Sequence, residues 1–560
     1  MTIKPTIGTG KFVKSVSILA LTMFFTGLGA ALASADQSKG TVLGIVLCFL
    51  GVLLWVCARI GAHSTTPSDS PREGHRLQEK NHRKYALMIF AGLVVLSVLA
   101  CLPYAPQGPF NPVNYTRLPG MRLVQHRWTA LIEPFFAPLK IIAGAPDFKI
   151  AAGVSLLWLF LGAVGWRIFS ECKKGKNFFS AVQRGIGSGV VASLTVTLLI
   201  CFFALARIPG WKLVVRDPNL IVADLHCHTV ISHDALVSQQ TNIDWHESSG
   251  YNMEAITENE HLVDHRIEGF SPSALHRMPA LMSGVEDHTG ARAICVALCP
   301  NPDIRLGNSV HHAAWFAEKI HREGGALWVC TLKNLRTSDI ARLANDGVDG
   351  FEIANEGHPD LPLRLRREVL AVARARGLVL LANSDYHGWC GLARTWNVIK
   401  APGKAGPPRS RRIAIVLRTL RRHDTADFTP VVAGFMGYPS ALRAVFSPFV
   451  ETARYAMELS PVRVLSWWVW AWVLFLLWML LDRKGFPAGD ILLASLVWVS
   501  GAGMIGAGID IIGQGRGSTD FGLVVGFSAA GVGAIALLVA TVRGVGFVTK
   551  CVKNEGLIRS

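Results

Sequence analysis

Apolar positions are concentrated at the two ends of the chain, and a more polar block lies between residues 211 and 460. A membrane-spanning helix needs about 20 mainly apolar residues. Eight segments meet that requirement, with 86–102 the shortest among them. The predicted spans cover 15–34, 41–60, 86–102, 151–169, 187–206, 463–481, 488–512 and 522–542.

Basic residues fall in alternate loops between these spans. Lys173, Lys174 and Lys176 lie in one such loop, whereas the opposite loops 35–40 and 513–521 are nearly neutral. Short loops rich in Lys and Arg stay in the cytoplasm. We therefore expect a multi-pass protein of the cell inner (plasma) membrane with an extracytoplasmic central block. The first span also resembles a signal peptide, and cleaving it would leave this orientation unchanged.

The central block alternates apolar strands, such as "NLIVADLH" and "GLVLLANS", with helical segments. That alternation predicts an α/β barrel or parallel sheet, in which chemistry collects at the carboxyl ends of the strands. Polar residues follow several of these strands. We expect a membrane region at 1–210, an extracytoplasmic domain at 211–460 with its core at 220–400, and a second membrane region at 461–560.

"HCH" at 226–228 has the pattern of a metal site. Residues two apart in a strand point to one face, so His226 and His228 present two imidazoles to one ion and Cys227 points away. Asp224, on the same face, is placed to orient one imidazole. Imidazole nitrogen together with carboxylate oxygen suits zinc, manganese or iron.

The order of motifs resembles the PHP (polymerase and histidinol phosphatase) family of metal-dependent phosphoesterases. The motifs are "DLHCHTVISHD", "EAITENEH", "SGVE", "GGALWVC" and "NSDYHG". The resemblance implies a distorted β/α barrel, here flanked by α-helical transmembrane bundles. It also implies a cluster of up to three metals. One ion would be held by His226, His228, Glu286 and Asp385, and another by Asp234 and His387.

Three positions depart from the family pattern. "ITEN" stands where the family has "ITDH", so Glu258 replaces an aspartate and Asn259 a histidine. "VCTLKN" places Thr331 where a later histidine is usual. We therefore expect one or two divalent ions instead of three. The candidate substitute ligands are Glu258, Asn259 and His261, with His288 and His358 as further nearby histidines.

Composition agrees with a mixed membrane and globular chain. Hydrophobic residues make up 51%, charged residues 17%, and the net charge is +17, whereas soluble domains carry about 25% charged residues. Much of the basic excess flanks the spans, and the basic segment 408–424 has the pattern of an amphipathic helix on a membrane surface or on the protein's own core. We expect no nucleic-acid partner. The 11 cysteines are scattered, which disfavours a disulfide framework.

These patterns predict a phosphoesterase that hydrolyses a phosphoester near the membrane surface, with Asp385 and Glu286 as catalytic metal ligands and Arg394 and Lys333 as candidate phosphate contacts. Few residues separate the span ending at 206 from the first strand, so we expect the catalytic face to lie close to the bilayer. A phosphorylated small molecule or a lipid-linked phosphoester is the substrate expected at that position. The missing histidines favour an alternative, a degenerate ligand-binding or signalling module. A transporter is disfavoured because the predicted spans contain few ionisable residues, which usually mark transport sites. Asp510 is the main exception.

Overall fold

The apolar helices match the sequence prediction over much of the chain. The computed structural model describes residues 71–102, 108–145, 147–259, 280–289, 293–300, 313–331, 335–357, 361–403, 407–434, 441–483, 488–514, 523–537 and 541. Within these, five helical segments are long and apolar enough to cross a membrane: His82–Cys101, Phe148–Lys173, Phe178–Leu205, Pro461–Asp482 and Ile491–Gly513. They correspond to five predicted spans. The spans at 15–34 and 41–60 lie outside the described residues, and the last corresponds to a shorter apolar helix, Leu523–Leu537.

Twelve described α-helices are numbered in chain order, in addition to the apolar helix Leu523–Leu537. They are α1 (Pro71–Cys101), α2 (Glu133–Ala143), α3 (Phe148–Lys173), α4 (Phe178–Leu205), α5 (Gln239–Ser249), α6 (Ala313–Arg322), α7 (Thr337–Asn345), α8 (Leu363–Arg376), α9 (Arg409–Arg421), α10 (Ala441–Met457), α11 (Pro461–Arg483) and α12 (Ala488–Gln514). A 3₁₀ helix spans Arg127–Ile132. Asp147 and Asn177 cap α3 and α4 by accepting hydrogen bonds from Ile150 N and Phe179 N.

Ten strands form one large sheet and two form a small one. The strands are β1 (Pro109–Phe110), β2 (Met121–Val124), β3 (Lys212–Val215), β4 (Leu220–Cys227), β5 (Met253–Asn259), β6 (Ala280–Thr289), β7 (Ala293–Leu298), β8 (Ala326–Thr331), β9 (Gly350–Asn355), β10 (Val379–Asn383), β11 (Thr395–Lys400) and β12 (Phe428–Ala433). The large sheet has the order β1-β12-β11-β4-β5-β6-β7-β8-β9-β10, and β2 pairs with β3.

The large sheet is mixed, although the strand–helix alternation predicted a parallel one. β4, β5 and β6 run parallel to one another, as do β8, β9 and β10. β7 is antiparallel to both of its neighbours. It follows β6 after a short connection, which permits a hairpin and is too short for the crossover that a parallel pair needs.

The sheet curls so that its last strand returns to its middle. The amide of Asp385, just after β10, donates to the carbonyl of His226 at 2.9 Å, and the amide of His228 donates to Tyr386 at 3.0 Å. The Asn397 side chain adds to this closure, because its Oδ1 accepts from Ala382 N and its Nδ2 donates to Ala382 O, both at 2.9 Å. The carboxyl ends of β4 and β10 therefore meet.

Both faces of the curled sheet are covered by apolar side chains. On the inner face, Leu225, Trp328 and Leu381 belong to a buried cluster that also includes Val416 and Leu420 of α9. On the outer face, residues of α6, α7 and α8 pack over β7, β8 and β9. The segment 408–424 therefore forms an amphipathic helix that rests on the protein's own core, which is one of its two expected locations.

Candidate metal centre

Four side chains converge where the carboxyl end of β4 meets the returning β10. His226 comes from β4, His228 directly follows that strand, Glu286 comes from β6, and Asp385 comes from the turn after β10. The two Nε2 atoms lie 3.1 Å apart. Asp385 Oδ1 lies 3.3 Å from each Nε2, and Glu286 Oε2 lies 3.7 and 3.3 Å from the Nε2 atoms of His226 and His228. Asp385 has a left-handed backbone with φ of 51°, a strained conformation typical of functional sites.

These separations fit the coordination shell of one divalent ion. Metal–ligand distances of 2.0–2.2 Å in a tetrahedral site place neighbouring ligand atoms about 3.3 to 3.5 Å apart. The five distances between donor atoms run from 3.1 to 3.7 Å. Both histidines are fully buried and Asp385 is 6% exposed. Of the four side chains that the sequence motifs indicated, His226, His228 and Asp385 form a group whose donor atoms could hold one ion, and Glu286 Oε2 lies 3.3 Å from His228 Nε2.

The charge distribution also favours a cation here. Burial lowers the pKa of His226, but the carboxylates of Asp385, Glu352 and Glu286 outweigh burial and raise it well above the ordinary value. Burial raises the pKa of Glu286, and the positive charges of His226 and His228 outweigh that effect and lower it to about 2. Without a metal, the acidic cluster keeps a proton on the His226 imidazole. A metal ion would replace that proton.

Each imidazole is oriented from behind by an acidic residue. His226 Nδ1 lies 3.2 Å from Oε2 of Glu352 in β9. His228 Nδ1 lies 3.1 Å from Ser232 Oγ, which donates to Glu258 Oε2 at 2.6 Å. Both contacts favour a hydrogen on Nδ1, so each Nε2 lone pair is left for a metal.

Glu352 was not indicated by the motifs. It stands alone as a charge within the buried strand "GFEIAN", and that isolation is the signal that could have found it. The structure also brings Cys330 Sγ to 3.3 Å from Oε1 of Glu286. A single cysteine within an apolar strand carries no such signal.

Asp224 and Glu258 have roles that differ from those expected. Asp224 contacts the imidazole of His246 at 2.8 Å and accepts from the amides of His226 and Ser384. It therefore fixes the backbone of the ligand strand, while Glu352 orients the His226 ring. Glu258, a candidate substitute ligand, accepts hydrogen bonds from the loop that follows β4, including the amide of Ser232 at 3.1 Å.

A second group lies beside the first. His387 Nε2 is 3.3 Å from Asp234 Oδ2, and the His387 ring stacks on His228 with centroids 4.3 Å apart. His387 Nδ1 is 2.7 Å from the carbonyl oxygen of Asp385, which favours a hydrogen on Nδ1 and directs Nε2 to Asp234. Asn259 Nδ2 donates to Asp234 Oδ1 at 2.9 Å. This pair places one imidazole nitrogen and one carboxylate oxygen 3.3 Å apart beside the first group.

The remaining predicted residues are separate from these groups or outside the described part of the chain. His261, His358 and Lys333 lie outside the described residues. Arg394 directs Nη1 to the carbonyl of Ala143 in α2 at 2.7 Å. Its guanidinium therefore contacts the helical region instead of a ligand of the metal centre.

The loop that carries Asp385 and His387 is bonded to the end of α4. The amide of Cys390 donates to Ala204 O at 3.0 Å, and Leu392 O accepts from the amides of Gly210 and Trp211. Two large apolar side chains near the metal-site loops, Ile231 and Trp389, are 41% and 38% exposed. The candidate site thus lies near the end of an apolar helix long enough to cross a membrane.

Comparisons with known proteins give structural resemblances only. No protein-family model matches the chain, and no curated protein matches it. A candidate metal-dependent phosphoesterase from Bifidobacterium adolescentis aligns at 15% identity and a TM-score of 0.26, over 35% of this chain and 96% of that one. An amidohydrolase from Chromobacterium violaceum, solved with bound sulfate and no metal, aligns at 14% identity and 0.25, over 36% and 96%. PsfC from Pseudomonas syringae aligns at 12% and 0.26, over 36% and 98%.

Those alignments cover about a third of the chain and are too distant to support an argument about function. What the fold and the site define on their own is an α/β protein with long apolar helices. At the carboxyl ends of its strands, this protein carries a buried group of two imidazoles and one carboxylate, His226, His228 and Asp385, that could hold a metal ion.

Proposed function

We propose that this protein is a membrane-bound, metal-dependent phosphoesterase of the PHP type. The observation that supports it is the convergence of His226, His228, Glu286 and Asp385, with five donor separations of 3.1 to 3.7 Å. One ion, of zinc, manganese or iron, would occupy this centre, and a second would use Asp234 and His387.

The protein residues have distinct tasks in this proposal. Bound at this centre, a divalent ion would polarise a phosphoryl oxygen and lower the pKa of a water molecule. Glu286 and Asp385 supply the negative charge that retains the ion. Glu352 and the Ser232–Glu258 pair hold the imidazoles in the tautomer with a free Nε2.

The substrate class that fits the surroundings is a lipid-linked phosphoester. The loop with Asp385 and His387 is bonded to the end of α4, and Ile231 and Trp389 offer exposed apolar surface nearby. An apolar chain in the bilayer could contact such side chains while its phosphate reaches the buried donors. We also propose that the domain with the large sheet lies on the extracytoplasmic side of the inner membrane, because the basic segments 72–84 and 173–184 favour the cytoplasm. A soluble phosphorylated metabolite is the competing substrate.

Asp385→Asn and Glu286→Gln test the enzyme proposal. Each removes a negative ligand while keeping the side-chain volume, so we expect loss of the tightly bound ion and a fall in phosphoesterase activity of about 100-fold or more. The full-length protein in detergent would be analysed for metal content, then assayed on a phosphomonoester, a phosphodiester and a lipid-linked phosphate with manganese or zinc.

Glu318→Gln is the matched control, because Glu318 is 62% exposed and pairs with Arg322 within its own helix. It is expected to keep both metal and activity. Metal-free wild type, or wild-type activity equal to that of Asp385→Asn on all three substrates, would contradict the proposal.

A degenerate ligand-binding or signalling module is the second candidate. It is favoured by Asn259, whose amide hydrogen-bonds to Asp234 at a position where the PHP family has a histidine ligand. Under this alternative the first centre still binds metal, but added phosphoesters are not hydrolysed. Metal content and turnover measured on the same sample separate the two candidates.

A further inference from the structure

Arg207 connects the membrane helices to the second half of the candidate site. It follows the end of α4, its side chain is 9% exposed, and its backbone has a left-handed φ of 54°. Its guanidinium donates to three acceptors: Asp510 Oδ2 at 2.7 Å, Leu236 O at 2.9 Å and Gly388 O at 3.3 Å. The planar, forked guanidinium can donate to several fixed acceptors at once, which an ammonium group cannot reproduce.

Two of those acceptors lie in the loops that carry Asp234 and His387. Leu236 comes two residues after Asp234, and Gly388 comes directly after His387. The loops also bond to each other, since the amide of Leu236 donates to His387 O at 2.8 Å. They are closely packed, because a Cβ added to Gly388 would lie 2.6 Å from Val237 Cβ. By bonding both loops, Arg207 restricts the position of the Asp234 loop relative to the His387 loop.

The third acceptor belongs to a membrane helix. Asp510 is the only Asp, Glu, Lys or Arg in the apolar segment Ile491–Gly513 of α12. An ionised carboxylate in such a segment is costly unless it is paired, and Arg207 pairs with it. Removing the carboxylate would leave a largely buried guanidinium charge held by two carbonyls, which weakens its preferred position.

We propose that Arg207 and Asp510 are positioning residues that hold the Asp234–His387 pair in a geometry able to retain a second divalent ion. This inference rests on the proposed function, because it concerns the second ion of the same centre. It assigns a role to the one carboxylate of α12 that lies within a membrane segment. Affinity for the second ion thereby depends on a contact made by a membrane helix.

Manganese titration of the full-length protein in detergent, followed by electron paramagnetic resonance, tests the proposal. Wild type is expected to bind two Mn²⁺ ions, with a spin-coupled signal at full occupancy. Asp510→Asn and Arg207→Lys are expected to weaken the second ion about 10-fold or more, as outer-shell changes do, and to remove the coupled signal. The first ion should bind as before. Asp510→Glu restores a carboxylate and should recover at least part of the second affinity.

Asp482→Asn is the matched control. Asp482 also lies at the end of a membrane helix, and it pairs with His82 at 2.7 Å. Because His82 belongs to α1, this pair joins two helices and does not involve the loops that carry Asp234 and His387. It is expected to leave both affinities unchanged. If Asp510→Asn does not fold, Arg207→Lys and Asp510→Glu carry the test.

The outcomes separate this inference from the proposed function. Wild type that binds no Mn²⁺ overturns both. Wild type that binds one ion, or folded Asp510→Asn and Arg207→Lys variants that bind two ions with unchanged affinity, overturn the positioning role and leave the first metal centre intact.

Discussion

At the scale of single residues, Glu352 gives the sharpest test of how the imidazoles are held. Both of its oxygens accept N–H groups, one from Asn355 and one from Asn383, while Oε2 also contacts His226. In Glu352→Gln, either orientation of the amide directs its NH₂ group toward a donor. We expect the affinity for the first ion to fall about 10-fold, measured by competition with a chelator.

The same Glu318→Gln variant serves as the control for a general loss of negative charge. Unchanged metal affinity in a folded Glu352→Gln protein would mean that the contact to His226 Nδ1 does not tune the site.

Part of this site follows from the sequence. His226 and His228 are recognisable because residues two apart in a strand share a face, and Asp385 because it directly follows an apolar strand. Glu352 and Cys330 were missed because they lie inside strands, where only the curl of the sheet decides which side chains reach the metal-binding end. Glu258 was expected as a substitute ligand because it stands where the PHP family has an aspartate, and the loop after β4 donates hydrogen bonds to its carboxylate.

At the scale of secondary-structure elements, the Asn397 side chain joins β11 to β10 through hydrogen bonds of the kind that backbone groups make between paired strands. Its side chain bonds both the amide and the carbonyl of Ala382 in β10, and Nδ2 also donates to Asn383 Oδ1 at 2.7 Å. Asn397→Leu has a similar volume but leaves these buried groups without that partner. An unsatisfied buried polar group costs about 1–3 kcal/mol, so we expect a loss of about 2 kcal/mol or more in stability.

Urea unfolding of the full-length protein would measure this loss, with Asn345→Leu as an exposed control at the end of α7. An equal effect of the two substitutions would rule out a special role for Asn397 in closing the sheet. The metal site should also weaken in Asn397→Leu, because β10 carries the turn with Asp385.

The elements themselves were only partly predictable. Five apolar segments fold as helices long enough to cross a membrane, because length and hydropathy are local properties of the chain. The antiparallel position of β7 was not predicted, since it depends on the short connection after β6 and not on strand composition. The inner location of α9 depends on the curled sheet providing an apolar surface for Val416 and Leu420.

At the scale of the whole molecule, the metal-free protein should lose stability as the pH rises from 6.5 to 9. Burial lowers the pKa of His387, but the carboxylates of Asp385 and Asp234 outweigh it and raise the pKa to about 9 from an ordinary 6.5. The folded state then binds more protons than the unfolded state in this window. Its stabilisation is complete below pH 6.5 and disappears as the pH rises through 9.

Thermal unfolding of wild type and His387→Gln, both without metal, would be compared across this range. Burial lowers the pKa of Lys140 to about 7, so Lys140 makes the stability rise with pH over this range. That contribution is the same in both proteins and cancels in the difference between them, which therefore reports on His387. Saturating zinc should remove the fall of this difference with rising pH, since metal replaces the proton on His387. A difference that grows with pH would contradict the assignment.

The whole architecture also depends on a short contact that no local pattern announces. β1 lies between α1 and α3, yet it extends the large sheet by pairing with β12. Arg366 of α8 strengthens this attachment by donating to Pro112 O, just beyond β1. β1 has only two residues, Pro109 and Phe110, and a segment of that length cannot be identified as a strand from its composition.

Biosynthesis has to accommodate the pairing of Pro109 with Ala433. Both α3 and α4 leave the ribosome between these two residues, and a chain that crosses the bilayer twice returns to the side where it started. β1 would therefore lie on the same side of the membrane as the other strands of the sheet before those strands are synthesised. A fragment of residues 211–460 would lack β1 and expose the edge of β12, and an uncovered edge can pair with other chains. Secretion of that fragment should yield aggregates, and adding back residues 108–118 should improve its solubility.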